Sequence, residues 1–122
     1  MLKDSLYTLE KINSSDAQIN VQVKLNAQNP IFKGHFPDIP VLPGVAMMQM
    51  IKEILEFQEE RNMQISKAGN MKFLQMVNPE KTKLLDIQIS ITERNDDSLK
   101  IKAQISDEAT ICFKMTAQLA FK

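Results

Sequence analysis

Chemistry in this chain is concentrated between Phe32 and Glu56, FKGHFPDIPVLPGVAMMQMIKEILE, which holds the only histidine, two of the three glycines and three of the five prolines. Histidine changes charge close to neutral pH, so His35 is suited to carry a proton. Pro37, Pro40 and Pro43 each fix φ and remove a backbone donor, which excludes regular helix or strand across GHFPDIPVLPG. The residue before each proline is biased to extended geometry, so the segment is a stiff lead-in. It ends at Pro43-Gly44, where a run of helical character begins, and proline is favoured in the first turn of a helix. The first N–H groups of a helix lack internal partners and sit at the positive end of its dipole. Gly44 has no side chain to keep a ligand from its own N–H. A thioester carbonyl or an oxyanion fits such a place, with His35, nine residues upstream, as the proton carrier facing it.

The elements that must position these groups are legible from period. From Ala17 to Ala27 the odd positions are apolar and the even ones polar, the pattern of a half-buried strand. Leu6 to Ile12 is a weaker extended segment, and Asn13-Ser14-Ser15-Asp16 between the two is a turn, giving a first hairpin. A helix follows from about Gly44 to Glu60. It is apolar at Val45, Met47, Met48, Met50, Ile51, Ile54, Leu55 and Phe57, which is too wide for a surface helix. Its polar residues Gln49, Lys52, Glu53, Glu56 and Glu60 fall on one narrow stripe. Ala68 to Val77 reads as a further strand ended by Asn78-Pro79. Alternation at Leu85–Ile91, Leu99–Ile105 and Ile111–Phe121 gives three more, with Asn95-Asp96-Asp97 and Asp107-Glu108 as hairpin turns. The predicted class is α+β, an antiparallel sheet of about five to seven strands wrapped around one long helix.

Length and composition bound the function. A chain of 122 residues is long enough for one domain with a real core, here taken as residues 1–122, and small enough to gain from a partner subunit. Lysine plus arginine equal aspartate plus glutamate at 15 each, so no global field draws the chain to nucleic acid or an anionic membrane. There is no signal peptide pattern and no run of about 18 apolar residues, so no membrane span is expected. Cys112, the single cysteine, excludes an intrachain disulfide and fits the cytoplasm. It lies on the less apolar side of the last strand with no histidine at a telling spacing, so a nucleophile is not expected there. No metal-ligand cluster is visible.

The run HFPDIPVLPGVAMMQ resembles the signature of the 3-hydroxyacyl-acyl carrier protein dehydratases, HFP-x-x-P-hydrophobic-x-PG followed by a helix carrying an acid. MKFLQMVNPEKTKLLDIQISI is similar to the family's segment in which a strand ending in Lys-Phe precedes the long antiparallel strands. The likeness covers most of the chain from Pro30 onward; the family's HRYPFLL-type lead-in is absent. Among variants the chain stands nearer the short dehydratase-like proteins of secondary lipid or pigment pathways than the housekeeping fatty-acid enzyme.

The resemblance implies a hot-dog fold and a dimer, homodimer or heterodimer with a paralogue, in which the histidine and the acid come from opposite subunits beside an acyl tunnel. It implies dehydration of a 3-hydroxyacyl thioester on acyl carrier protein, without cofactor or metal. Carried over by position, His35 is the catalytic base and Gly44 polarises the thioester carbonyl. Phe36, Pro40, Val45, Met48 and Phe73 belong to the substrate-binding wall. The acid's place is held by Gln49, whose amide is no Brønsted acid near neutrality and serves to position the hydroxyl or a water. Glu53, one turn on, is the carboxylate expected to stand in for the missing acid, through a water. The rival expectation is a non-catalytic acyl-thioester-binding subunit that pairs with a catalytic paralogue. A thioesterase on the same fold is less attractive, because the HFP-x-x-P-x-x-PG run points elsewhere.

Overall fold

A computed structural model describes residues 2–33 and 40–122. His35 and Phe36 lie outside the described residues. The elements are β1 (Tyr7–Ser14), β2 (Gln18–Leu25), a 3-10 turn at Pro30–Lys33, α1 (Gly44–Glu59), β3 (Met63–Phe73), β4 (Leu84–Arg94), β5 (Ser98–Asp107) and β6 (Thr110–Phe121). The strands make one six-stranded sheet in the order β1-β2-β4-β5-β6-β3, antiparallel at every pair. This is the hot-dog arrangement of one sheet and one long helix.

Alternation read from the sequence becomes alternation of burial. Ile19, Val21, Val23 and Leu25 of β2, Leu85, Ile87 and Ile89 of β4, and Leu99, Ile101, Ala103 and Ile105 of β5 turn to one side of the sheet. They form one core with Ala46, Met47, Met50, Ile51, Ile54 and Leu55 of α1. Burying a side chain of this size contributes about 1.5–3 kcal/mol. Removing the helix from the sheet would therefore expose most of what drives folding. The β4–β5 turn is closed as its composition suggests, with Asn95 Oδ1 accepting from the N–H groups of Asp97 at 2.8 Å and Ser98 at 2.9 Å. No helix among the described residues is long and apolar enough to cross a membrane.

Three expectations change. The strand expected over Ala68–Val77 runs earlier, from Met63 to Phe73, because α1 ends in a left-handed residue, Glu60 at φ 55°, that turns the chain straight into β3. After Phe73 the chain leaves the ladder; Leu74 and Gln75 donate their N–H groups to Cys112 O, and Val77 O accepts from Leu42 N–H. The helix is also less enclosed than its composition suggests, since Val45 is 71% and Phe57 50% exposed. And Glu53, expected to stand in for the missing acid through a water, is only 1% exposed.

Glu53 is buried because the first residues of the chain close over it. Its carboxylate accepts from the N–H groups of Leu2 (2.9 and 3.1 Å) and Lys3 (2.8 Å), from the Tyr7 hydroxyl (3.1 Å) and from Gln49 Nε2 (2.8 Å). Tyr7 is itself buried beside Leu6.

Strand β3 is a sheet edge, exposed from Ser66 to Phe73. Its register against β6 breaks twice, between Ile65 and Lys67 and between Ala68 and Met71. The outward face of the sheet next to it is basic. Lys72 is the register partner of Lys114, and Lys102 lies across from Thr116. These three lysines line a depression of about 370 Å³ that contains no carboxylate. Lys67 and Lys100 continue the same face.

The pH dependence of stability follows from the Glu53 cluster. Burial alone would push the Glu53 carboxyl up, but the Leu2 N–H, the Gln49 amide, the Lys3 N–H and the Tyr7 hydroxyl together hold it below its ordinary 4.5. A lowered folded-state value stabilises above the unfolded value and loses that stabilisation as pH falls through the folded one. Burial first, then the Glu53 charge and hydrogen bond, push Tyr7 far above its ordinary 10.0. That contribution is complete below pH 10 and declines as pH rises further. Thermal unfolding should show Tyr7→Phe costing about 1.5–3 kcal/mol at neutral pH, the scale of a hydrogen bond to a charged group. The same variant should lose part of the decline that the native protein shows in alkali.

Candidate active site

Pro43 caps α1 at φ −66° and ψ 149°, extended geometry that turns a stiff segment into a helix without a side-chain cap. Ala46 and Met47 donate their N–H groups to Pro43 O. Among the described residues no acceptor is bonded to the N–H of Gly44 or Val45, as expected of the first turn. These donors lie where the helix dipole is positive.

The Phe73 ring lies over Gly44. A Cβ built on Gly44 would stand 2.2 Å from Phe73 Cε1 and 2.6 Å from Cζ, so any larger residue would have to displace the ring. Phe73 is held from behind by the buried Phe113, with ring centroids 4.9 Å apart and planes tilted by 34°. The two phenylalanines are register partners on β3 and β6. In front of the ring a cavity of about 550 Å³ opens, walled by Leu42, Gly44, Val45, Met47, Phe73 and Met76. It is an apolar groove whose lining includes Gly44 and Val45, with N–H groups that have no acceptor among the described residues, suited to an acyl chain ending in a polarised carbonyl.

Of the residues singled out in the sequence, the groove gathers Gly44, Val45 and Phe73. Pro40 is half-buried and Met48 packs against the core, both outside the groove lining. Met47 is buried in the core and also lines the groove. Leu42, Leu74 and Met76 were not anticipated. Leu42 stood in the stiff lead-in, and Leu74 and Met76 were apolar residues of a segment that read as strand; the departure of the chain from the sheet after Phe73 brings these two to the groove.

Gln49 and Glu53 are elsewhere. They face a second cavity, of about 510 Å³, also lined by Lys3, Lys52, Phe57 and Arg61, and none of the described residues lines both cavities. Five residues of helix separate Gln49 from Gly44 by about 140° around the axis, so one chain cannot bring both to one substrate atom. The expectation that Glu53 replaces the missing acid does not suit this geometry. A carboxylate filled by donors and held below the usual range is ionised at neutral pH and has no proton to give. Cys112 is 1% exposed, and burial pushes its thiol up, against a role as nucleophile.

Comparison with known proteins agrees with this order of elements. A dehydratase named FabZ from Ruminiclostridium cellulolyticum is 28% identical over 127 residues, spanning 95% of this chain and 87% of that one. FabZ from Chlamydia caviae is 27% identical over 122 residues, spanning 89% and 76%. Among solved structures, the dehydratase heterocomplex ApeI:P from Xenorhabdus doucetiae superposes with a TM-score of 0.75 at 18% identity, over 93% of this chain and 97% of that one. A hypothetical thioesterase protein with coenzyme A from Streptococcus pneumoniae gives 0.69 at 13% identity, over 97% and 88%. At those identities the structural likenesses speak for the fold alone. The model of the ApeI-like family, described as ApeI dehydratase, matches residues 11–117, from the first strand to within the last, and on that match the chain belongs to the ApeI-like dehydratases.

Proposed function

We propose that the protein removes water from 3-hydroxyacyl thioesters borne on acyl carrier protein, giving the trans-2-enoyl thioester. The observation that carries this reading is the N–H of Gly44, without a partner among the described residues, in the lining of an apolar groove beneath Phe73. Dehydration needs a base for the C2 proton, stabilisation of enolate-like charge on the thioester oxygen, and a proton for the departing hydroxyl. Gly44 N–H takes the charge on the oxygen. His35 takes the C2 proton as the C2–C3 double bond forms and the C3–O bond breaks. The imidazolium so produced hands the same proton to the departing oxygen, which leaves as water.

Two chains complete the site. Gly44 and Gln49 face different cavities of one chain, and a second chain brings its own Gln49 to the first chain's groove. The exposed β3 edge, with Met71, Phe73, Leu74 and Met76 at 37–67% exposure, is the surface along which such a partner pairs. A structural neighbour solved as a dehydratase heterocomplex makes either a second copy or a paralogue a reasonable partner. The carrier meets the lysine face: Lys72 precedes Phe73 and so lies on the opposite side of the same strand, one residue from the groove. The free, buried Cys112 suits the reducing cytoplasm.

Purified protein should convert a 3-hydroxyacyl-acyl carrier protein with a mass loss of one water, and His35→Ala should lower the rate about 10²–10⁴-fold. No turnover in either direction by the folded protein alone, with turnover appearing when a paralogue carrying the acid is added, would replace this reading with that of a partner subunit. Gly44→Ala should depress kcat, and Phe73→Ala added to it should recover part of the loss, because the methyl and the ring compete for one space. Charge reversal at Lys72 and Lys114 should raise KM for the carrier-borne thioester and flatten its salt dependence, leaving small soluble thioesters unaffected.

A further inference from the structure

Gln49 and Glu53 are one helical turn apart and in direct contact, with Gln49 Nε2 donating to Glu53 Oε2 at 2.8 Å. The direction of that bond is forced. Glu53 also faces the N–H groups of Leu2 and Lys3, which can only donate, so its oxygens are acceptors. A primary amide has one donor end and one acceptor end. Glu53 takes the donor end of Gln49, and the carbonyl oxygen Oε1 is left for whatever occupies the cavity. Gln49 is half-buried, whereas Glu53 is 1% exposed and anchored to the N-terminal segment, so the carboxylate is the fixed member of the pair.

We infer that Glu53 is a positioning residue that locks the Gln49 amide with Oε1 outward, making position 49 a hydrogen-bond acceptor that selects thioesters bearing a 3-hydroxyl. This rests on the reading of Gln49 as a residue of the dehydration site. A carboxylic acid in its place would give a proton to the hydroxyl; the amide so held accepts a hydrogen bond from it, and the proton stays on the hydroxyl. The hydroxyl of the substrate is a donor and meets Oε1. The enoyl product has no donor there and loses the contact, so water elimination itself weakens binding and favours release.

The orientation has a consequence for restoring an acid. In Gln49→Glu the new carboxyl stands against the ionised Glu53, and like charges that close keep it protonated. Its proton then points at Glu53, and its carbonyl oxygen again faces the cavity. The single change should therefore gain little activity. Gln49→Glu combined with Glu53→Gln reverses the pair: the glutamine carbonyl at position 53 accepts from the N-terminal N–H groups, its amide donates to the acid, and the acid's second oxygen is free to carry a proton to the substrate.

The test uses the full chain. In the His35→Ala background, binding of a 3-hydroxyoctanoyl N-acetylcysteamine thioester should be about tenfold tighter than that of the trans-2-octenoyl thioester, the scale of one net hydrogen bond. Gln49→Met in that background should abolish the preference while keeping affinity for the enoyl compound. Amide spectra of the native protein should show one glutamine side-chain pair, absent in Gln49→Met, that exchanges slowly with solvent and shifts away from the exposed glutamines; Glu53→Gln should move it. A Gln49 resonance indistinguishable from exposed amides overturns the lock, as does equal binding of the two thioesters with the amide held. Binding of neither thioester by a folded His35→Ala protein overturns the dehydratase reading instead. A gain from Gln49→Glu alone equal to that of the reversed pair overturns the assigned orientation. Because the spectra and Gln49→Met need no change at Glu53, the inference is tested even if Glu53→Gln does not fold.

Discussion

A carboxylate withdrawn from water must be given donors, and in this fold one carboxylate organises what surrounds it. Glu53 sits on a helix that is otherwise buried through apolar contact, and its oxygens are met by the chain's first peptide groups, a buried tyrosine and a glutamine. Leaving such a charge unmatched would cost several kcal/mol, so the N-terminal segment, β1 and α1 are obliged to meet at this point. The N-terminal segment is thus no loose end. Through Tyr7 it joins the sheet to the helix by a polar contact whose geometry is much narrower than that of the apolar core around it.

The remaining chemistry hangs on where α1 begins. Its start is set by Pro43, and its first N–H groups have no acceptor among the described residues, since a proline-fixed, extended residue without a side-chain cap precedes them. Apolar packing places the helix, and the uncapped end is what that packing leaves for a ligand. Stability and reactivity therefore draw on different turns of the same sixteen-residue helix: a middle turn buries a saturated charge, and the first turn carries donors without acceptors among the described residues.

Much of this was legible beforehand because it depends on local pattern. Period two located β2, β4, β5 and β6, and Pro43-Gly44 located the helix start to the residue. The edge strand was read too late in the chain because the alternation that marks its start, Met63 and Ile65 against Gln64 and Ser66, is short and ends where the register breaks at Ile65–Lys67. Glu53 read as a stand-in acid because its spacing from Gln49 is local, whereas the donors that saturate it belong to residues about fifty positions away. The groove was half legible for the same reason. Gly44 and Val45 follow from the helix start, while Leu42 and Met76 meet only when Leu42 N–H bonds to Val77 O.

The two breaks in the register of β3 have a meaning of their own. From Met63 to Phe73 the strand advances ten residues while its partner β6 retreats eight, from Phe121 to Phe113. Each break inserts one surplus residue, and a single one would send every later side chain to the other face of the sheet. Two restore parity. Phe73 consequently points inward at Phe113 and Gly44, and Lys72 outward. The strand thus tolerates insertions only in pairs: a chain with one residue more or less between Ile65 and Met71 would keep its sheet but turn a lysine to the groove and the phenylalanine to solvent.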